Sequence, residues 1–191
     1  KNKPENPKIQ PDTIDVKGYE SITDEKVLDK WIKILSEQSV IAVDTETSSL
    51  NPLEADLIGI SFSYALNKAC YIPLAHKNIA SLKKEVVLKK IKPILEDSSI
   101  KKVGQNIKFD FLILRQNNIE ITPLEDTMLI SYTLDAGTNR HNLDTLSEIH
   151  LNHKTITYKE LVGTGKNKLN FSDIELDKAT EYAAEDADVT L

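Results

Sequence analysis

The sequence predicts an α/β domain built on one mixed β-sheet that is flanked by α-helices. Three short, apolar, β-rich segments follow one another between residues 40 and 74, and helical periodicity alternates with one more short strand after them. A meander of strands that leads into alternating helices and strands is typical of a mixed sheet covered by helices. The chain has 191 residues, 40% of them hydrophobic, which fits one globular domain of ordinary composition.

The first part of the chain carries a linker, one helix and the meander. Residues 1–18 hold three prolines and no apolar period, so we expect a linker or extended tail before a folded domain at 19–191. Asp24 can cap a helix in which apolar residues recur at helical spacing. Strands are predicted at 40–44, 57–64 and 69–74. Pro73 favours an edge position for the third strand.

The second part is mainly helical. A helix is predicted over residues 81–95, and a short fourth strand over 100–103. Further helices are predicted near 106–117, 126–134, 142–151 and 173–191. Because the chain begins at Lys1 rather than methionine and stops inside the last predicted helix, we expect it to be part of a longer polypeptide.

The overall charge leaves two functional interpretations open. The net charge is −6, with a pI near 5.3, which argues against a protein that holds duplex DNA by a broad basic surface. Carboxylates gathered in one cleft, however, attract divalent cations, which can then bind phosphate. Cys70 is the only cysteine, so we expect no disulfide within the chain and a reducing intracellular compartment. No apolar run approaches the roughly 20 residues that span a bilayer, so no membrane partner is expected.

The end of the first predicted strand carries two acidic residues. Asp44 and Glu46 should point to one face of the sheet, and Thr45 to the other, because side chains alternate along a strand. Two carboxylates on one face form a half-site for Mg²⁺ or Mn²⁺, which prefer oxygen ligands. Taken alone, the pattern fits a solvated loop entry better than a metal site.

Two later segments place polar residues four positions apart on predicted helices. Asn106 and Asp110 would share one helix face, and so would Tyr182 and Asp186. Their structural alternatives are an asparagine N-cap and ordinary alanine packing. Near the last pair, Glu185 and Asp188 would project to other faces as surface charges.

The three segments together predict a single cluster of carboxylates. If one strand and two helices converge, Asp44, Glu46, Asp110 and Asp186 form a strongly self-repulsive cluster of four negative charges. Two divalent ions about 3.5–4 Å apart would neutralise this cluster and clamp the attacking and leaving oxygens of a phosphodiester.

The same segments resemble a known family. D-T-E-T at 44–47, N-I-K-F-D at 106–110 and Y-A-A-E-D-A-D at 182–188 resemble the three exonuclease motifs of the DEDD superfamily, in its tyrosine-containing branch. V-G-Q-N at 103–106, K-T-I-T-Y at 154–158 and G-T-G-K-N at 163–167 resemble the proofreading domain of bacterial DNA polymerase I, in polymerase family A. The resemblance runs from about residue 19 to the end. It implies a ribonuclease-H-like fold and a metal-dependent 3′→5′ exonuclease that proofreads during DNA replication and repair and releases nucleoside 5′-monophosphates.

The resemblance also implies roles in catalysis. Asp44, Glu46 and Asp186 would ligate one Mg²⁺ or Mn²⁺ ion, and Asp110 would hold a second, largely through water. Tyr182 would position the attacking water, with Glu46 as its other hydrogen-bond partner.

Further residues would bind the substrate, which the resemblance implies is a single-stranded or frayed 3′ end of DNA. Leu50 matches an apolar wedge against the terminal base, and Tyr158 matches an aromatic residue that stacks there. Gln105, Asn106 and Arg140 match positions that contact the strand's backbone. We further expect a polymerase domain in the same full-length chain, a monomer, and a bacterial cytoplasmic location at the nucleoid.

Three alternatives remain open. An RNA-processing exonuclease of the ribonuclease D type shares the motifs, although the sequence between them is polymerase-like. A catalytically inactive structural domain of a polymerase would be expected to lack motif carboxylates, and here all four are present. A non-enzymatic nucleic-acid-binding module is disfavoured by the acidic balance.

Other patterns are interpreted as structural. Gly163-Thr-Gly-Lys166 lacks the spacing of a phosphate-binding loop. Lys101 and Lys102 are expected to be solvated charges at a strand end, and Cys70 a small core residue.

Overall fold

A computed structural model of the chain describes residues 14–191, except for the side chain of Lys166. Six strands form one sheet: β1 (Glu20–Ser21), β2 (Val40–Thr47), β3 (Leu57–Ala65), β4 (Lys68–Pro73), β5 (Lys101–Gly104) and β6 (Leu124–Asp126). Their order across the sheet is β1-β4-β3-β2-β5-β6. The meander β2-β3-β4 is antiparallel, and β1, β5 and β6 join it in parallel. The predicted mixed sheet is confirmed.

Seven α-helices surround the sheet: α1 (Glu25–Ser36), α2 (Lys84–Glu96), α3 (Lys108–Gln116), α4 (Thr127–Asp135), α5 (Leu143–Leu151), α6 (Tyr158–Val162) and α7 (Leu176–Thr190). Within residues 14–191, none of them combines the length and apolar character that crossing a bilayer requires. The short elements β1, β6 and α6 are not predicted, because two to five residues give no measurable periodicity. Of the expected linker, residues 1–13 lie outside the described residues, and Val16–Gly18 forms a short 3₁₀-helix.

The two faces of the sheet carry different residues. On one face, side chains such as Ile41, Val43 and Phe62 pack with α1, α2 and α3 in the main hydrophobic core. Helix α1 begins where predicted, because the Asp24 carboxylate accepts hydrogen bonds from two backbone N–H groups of its first turn. On the other face, α7 lies across β2, β3 and β4.

The β4 strand corrects one expectation. It lies between β1 and β3, so the predicted edge position is wrong. Strand β1 pairs only with Cys70 and Tyr71 of β4. Pro73 lies past this short pairing, so its missing backbone N–H is not needed for pairing with β1. Cys70 is fully buried in the core, as predicted.

The position of Lys102 corrects the expectation that this residue is a solvated charge at a strand end. Its side chain is fully buried rather than solvated. The ammonium donates hydrogen bonds to the backbone carbonyls of Ile94 (3.3 Å) and Asp97 (2.7 Å), at the C-terminal end of α2. The Ile94 carbonyl also accepts from the backbone N–H of Asp97 (3.3 Å), and the Asp97 carbonyl from that of Ile100 (3.2 Å). The buried cation therefore adds a second donor to each carbonyl and interacts favourably with the helix dipole. Burial lowers the pKa of Lys102 to about 8.

Candidate active site

Two carboxylates stand side by side near the end of β2, a strand inside the sheet. Asp44 and Glu46 point to the same face, because they are two residues apart on one strand. The pairing of β2 with β3 shifts register between Glu46 and Thr47, an irregularity that bends a strand locally.

Asp186 joins these two residues from helix α7. The carboxylate oxygens of Asp44, Glu46 and Asp186 lie within 4.8 Å of one another. Small residues let the helix approach the sheet this closely, since Ala183 and Ala187 of α7 are fully buried. Ser61, which pairs with Asp44 across β2 and β3, is also fully buried and small. The structure thus brings these three predicted ligands together.

Asp110 reaches the same cavity from the opposite side of the sheet. It lies on α3, and its carboxylate accepts hydrogen bonds from the backbone N–H of Thr45 (2.9 Å) and from the Thr45 hydroxyl (2.6 Å). Thr45 does point away from Asp44 and Glu46, as predicted, and this orientation makes it the anchor for Asp110. The fourth carboxylate therefore lines the cavity without belonging to the three-residue cluster.

Asn106 does not share a helix face with Asp110, so that expectation is wrong. Helix α3 begins at Lys108, and Asn106 precedes it with φ of 58°. Asparagine tolerates this left-handed conformation better than most residues. Its backbone N–H donates to the carboxylate of Asp126 at 3.0 Å, and the residue lines the cavity beside Asp110.

Simultaneous ionisation of the four carboxylates is strongly unfavourable. Burial raises the pKa of Asp44 well above its usual range, and the nearby charges of Asp110, Glu46 and Asp186 raise it further. Burial, with Asp186 and Asp110, likewise raises the pKa of Glu46, and burial raises that of Asp186. Burial raises the pKa of Asp110 to about 7, although hydrogen bonds from Thr45 oppose the shift. Such a cluster is relieved either by protons or by cations.

The donor set fits divalent metal ions. Asp44, Glu46 and Asp186 offer three carboxylate oxygens in close proximity, and hard oxygen ligands suit Mg²⁺ and Mn²⁺. Asp110 offers a further carboxylate in the same cavity. Bound cations would remove the mutual repulsion that raises these pKa values. The residues present therefore suit the divalent metal ions that are expected from the sequence.

Tyr182 lies one turn before Asp186 on α7, and the two side chains are hydrogen-bonded. Its ring packs against Phe171, with ring centroids 6.1 Å apart. Phe171 belongs to a second hydrophobic cluster, which also includes Val162 of α6 and Ala183 of α7. Burial raises the pKa of Tyr182, and the charges of Asp186, Glu46 and Asp44 raise it further. The phenol therefore stays protonated at neutral pH.

The cavity around these groups has a volume of about 600 Å³. Leu50 lies on its rim and is 93% exposed, so it does not pack against the rest of the domain. Tyr158 is the first residue of α6, and its ring centroid lies 6.2 Å from that of Tyr182. Both residues thus border the cavity in which an apolar wedge and a stacking ring are predicted.

The remaining predicted substrate contacts divide into two groups. Gln105 and Asn106 line the cavity. Arg140 is exposed in the loop between α4 and α5 and does not line it among the described residues. The side chain of Gln105 donates to the backbone carbonyl of His141 at 2.7 Å, which links the Arg140 loop to the cavity edge. Contact between Arg140 and a substrate stays a prediction.

For two acidic residues of α7, the expectation of a surface position is wrong. Glu185 is 2% exposed and accepts hydrogen bonds from the His153 side chain (2.8 Å) and the backbone N–H of Ile156 (2.7 Å). Asp188 is 4% exposed and accepts from the hydroxyl of Tyr19 at 2.9 Å. Their partners lie 29 or more positions away in the sequence, so local periodicity could not reveal them.

One wall of the cavity has no counterpart in the sequence-based expectations. Lys168, Leu169 and Asn170 line it, and they follow Gly163 and Gly165, both of which have positive φ. The two glycines do not form a phosphate-binding loop, as their spacing indicates. They instead turn the chain back toward the cavity, since glycine adopts positive φ without steric cost.

Comparison with known proteins agrees with this geometry. The family model described as 3′-5′ exonuclease matches residues 19–191. DNA polymerase I of Rhizobium leguminosarum is 42% identical over 93% of this chain, and DNA polymerase I of Pseudomonas aeruginosa is 40% identical over 91%. These alignments cover 19% and 20% of the two polymerases, so the chain spans about a fifth of the length of these relatives.

Solved structures with the same fold are more distant in sequence. Escherichia coli RNase D superposes with a TM-score of 0.66 at 19% identity, over 90% of this chain and 42% of that one. Brucella melitensis NrnC with bound Mg²⁺ superposes with a TM-score of 0.62 at 20% identity, over 90% of this chain and 75% of that one. These likenesses concern the fold alone, and they confirm the predicted ribonuclease-H-like class.

Proposed function

Because the chain belongs to the family of 3′→5′ exonuclease domains found in DNA polymerase I, we propose that it hydrolyses the terminal phosphodiester at a 3′ end of DNA, with two divalent metal ions, and releases nucleoside 5′-monophosphates. One observation carries the proposal. The oxygens of Asp44, Glu46 and Asp186 lie within 4.8 Å of one another in a cavity that Asp110 also lines.

The four carboxylates would hold the metal ions. Asp44, Glu46 and Asp186 would hold one ion and Asp110 the second, with either Mg²⁺ or Mn²⁺ in these positions. Bound ions would supply Lewis acidity, which lowers the pKa of water and stabilises the charge that develops on the phosphate oxygens. No strong protein base is then required.

Tyr182 would orient the attacking water rather than deprotonate it. The raised pKa keeps its phenol neutral, and a neutral phenol serves as a hydrogen-bonding group of fixed position. Its hydrogen bond to Asp186 and its contact with Phe171 hold the ring in place. Orientation of this kind accelerates a reaction by keeping the reacting groups aligned.

The substrate would be a single-stranded or frayed 3′ end. Leu50 offers an apolar side chain, and Tyr158 an aromatic face, to the terminal base, and both contacts tolerate any base. Gln105, Asn106 and Arg140 would contact the strand's backbone. A duplex end would have to lose its pairing before its terminal base could use these contacts.

The relatives support DNA over RNA as the substrate, since those that match over most of this chain are DNA polymerases. RNase D, which shares the fold, is described as an exoribonuclease involved in structured RNA processing. An inactive structural domain is disfavoured because all four carboxylates lie at one cavity. Because the relatives are about five times longer, we also propose that a polymerase domain belongs to the same polypeptide, which acts as a monomer in the bacterial cytoplasm at the nucleoid.

A single assay tests the proposal. The chain is incubated with a 5′-labelled oligodeoxynucleotide that has a single-stranded 3′ tail, with Mg²⁺, Mn²⁺ or a chelator. We expect stepwise shortening from the 3′ end with either metal and none with the chelator. Asp44→Asn should abolish shortening, whereas Asp177→Asn, at an exposed position on α7, should not. Persistent activity in the chelator or in Asp44→Asn contradicts the mechanism.

Two further arms define the substrate. A mismatched primer terminus should be removed faster than a matched one, because its end frays more readily. An oligoribonucleotide of the same sequence should be a poorer substrate than the oligodeoxynucleotide. The opposite order in this second comparison favours the RNA-processing alternative.

A further inference from the structure

Lys168 is the only basic residue among the described residues that line the cavity. It shares the cavity with Asp44, Glu46, Asp110 and Asp186, so one cation faces four carboxylates. A lysine in such surroundings would be expected to pair with one of them. Within residues 14–191, however, its ammonium forms no ion pair with a carboxylate.

The ammonium of Lys168 instead lies over an aromatic ring. Its nitrogen is 5.3 Å from the ring centroid of Tyr158, within the distance at which a cation is attracted to the face of an aromatic ring. Tyr158 in turn lies beside Tyr182, with ring centroids 6.2 Å apart, and Tyr182 is hydrogen-bonded to Asp186. The positive charge is therefore placed next to the proposed stacking ring, with Tyr182 between that ring and the carboxylate cluster.

The backbone around Lys168 fixes this placement. The backbone N–H of Lys168 donates to the carbonyl of Gly165 (3.3 Å), and that of Leu169 donates to the carbonyl of Val162, at the end of α6 (2.9 Å). The segment is thus tied to the same short helix that carries Tyr158. Ring and ammonium belong to one local unit, and they would meet a ligand together.

Charge balance indicates what this ammonium binds. Two divalent ions would offset the four carboxylates, so the filled metal site leaves no net positive charge for the substrate. A DNA strand adds one negative charge with each phosphate, and proteins bind such charges with lysine and arginine. Among the described lining residues, Lys168 alone can meet this need.

We propose that Lys168 is a substrate-binding residue, which contacts a phosphate of the DNA strand whose 3′-terminal base stacks on Tyr158. The inference rests on the proposed exonuclease function and extends its set of substrate-binding residues. The interaction is electrostatic and independent of base identity, as the proposed activity requires. It affects the binding of the strand rather than the chemical step.

The salt dependence of KM tests the proposal. Initial rates of hydrolysis of a single-stranded oligodeoxynucleotide are measured at saturating Mn²⁺ over a tenfold range of KCl concentration, for the wild type, Lys168→Gln and Lys168→Arg. Each phosphate contact contributes about 0.7 to the slope of log affinity against log salt for single strands. We expect Lys168→Gln to lower the slope by about 0.7, so that its defect in KM shrinks about fivefold from the lowest to the highest salt. Its kcat should be unchanged, and Lys168→Arg should keep the slope of the wild type.

Lys159→Gln is the matched control, because Lys159 is exposed on the same helix as Tyr158 and does not line the cavity. An unchanged slope in Lys168→Gln overturns the inference and leaves the exonuclease function standing. So does an effect of Lys159→Gln as large as that of Lys168→Gln. A change only in the Mn²⁺ concentration that activity requires also overturns it, because Lys168 would then merely offset the carboxylates. A wild type that hydrolyses nothing rejects the proposed function together with the inference.

Discussion

Replacement of Asp186 by asparagine should stabilise the metal-free protein while it destroys the proposed metal site. The asparagine side chain keeps an oxygen that can accept the hydrogen bond from Tyr182, so the main change is the loss of one negative charge. That charge lies within 4.8 Å of the oxygens of Asp44 and Glu46. Its removal should relieve two repulsive interactions.

The size of the effect follows from Coulomb's law. The carboxylate oxygens of the three residues are at most 4.8 Å apart. At that distance two ionised carboxylates repel each other by about 3.5 kcal/mol if the effective dielectric constant is about 20. Burial and the neighbouring charges raise the pKa values of Asp44 and Glu46, and any proton that these groups bind removes part of the repulsion, so this figure is an upper bound. We expect a gain of about 1–3 kcal/mol, which for a chain of this length corresponds to a rise in Tm of about 2–12 °C.

Thermal unfolding at about pH 8, where carboxylates favour the ionised form, measures this effect. With a chelator, Asp186→Asn should unfold at a higher temperature than the wild type, whereas Asp177→Asn, on the exposed side of the same helix, should not. With Mn²⁺ in excess the difference should vanish or reverse, because a ligand at about a hundred times its Kd stabilises the wild type by about 2.7 kcal/mol. The variant should gain little from the metal.

The opposite order in the chelator would refute this reasoning. If Asp186→Asn unfolds at the same or a lower temperature than the wild type, the three carboxylates do not repel one another as the geometry requires. Equal stabilisation of both proteins by Mn²⁺ would in addition show that Asp186 is not a ligand.

Three other predictions concern pH, catalysis and the core. In a chelator, stability should fall as pH rises from about 4 through 7, because the folded-state pKa of Asp110, about 7, lies above its unfolded value, and protonation of the folded state is lost over that interval; a Tm that rises steadily over this range by circular dichroism would contradict it. Tyr182→Phe should reduce kcat by about ten- to a hundredfold and leave measurable activity, since the group orients water; full activity in initial-rate assays would remove it from the mechanism. Lys102→Met should lower stability by about 1–3 kcal/mol in denaturant titrations, because the carbonyls of Ile94 and Asp97 lose a buried donor; an unchanged midpoint would show that these bonds contribute nothing.

Helices and strands whose formation depends on residues close in the sequence could be predicted from the sequence. Helix α1 and strands β2 to β4 follow from the Asp24 cap, from helical spacing and from short β-rich runs, all of which are local properties. The placement of Asp44 and Glu46 on one face follows in the same way from the alternation of a strand. Tyr182 and Asp186 of α7 lie one helical turn apart, and the resemblance to the exonuclease motifs identified them as site residues.

Charged residues show where local patterns fail. Local spacing places Glu185, Asp188 and Lys102 in solvent, and all three are buried. Each is stabilised by partners from other parts of the fold: His153 for Glu185, Tyr19 for Asp188, and the backbone carbonyls at the end of α2 for Lys102. A charge is buried only where such partners exist, and the sequence alone does not say which distant groups will meet it.

The sequence by itself determined the longer helices and strands, the mixed sheet and the identity of the acidic groups, because these follow from periodicity and from motifs of a few residues. Only the tertiary structure decided that Asp110 is held through Thr45 from the far face of the sheet, that Asn106 lies outside the helix, and that Lys168 enters the cavity. Each of these depends on how strands, helices and loops far apart in the chain pack together. Packing of that kind is a property of the whole fold, and no local stretch of sequence encodes it.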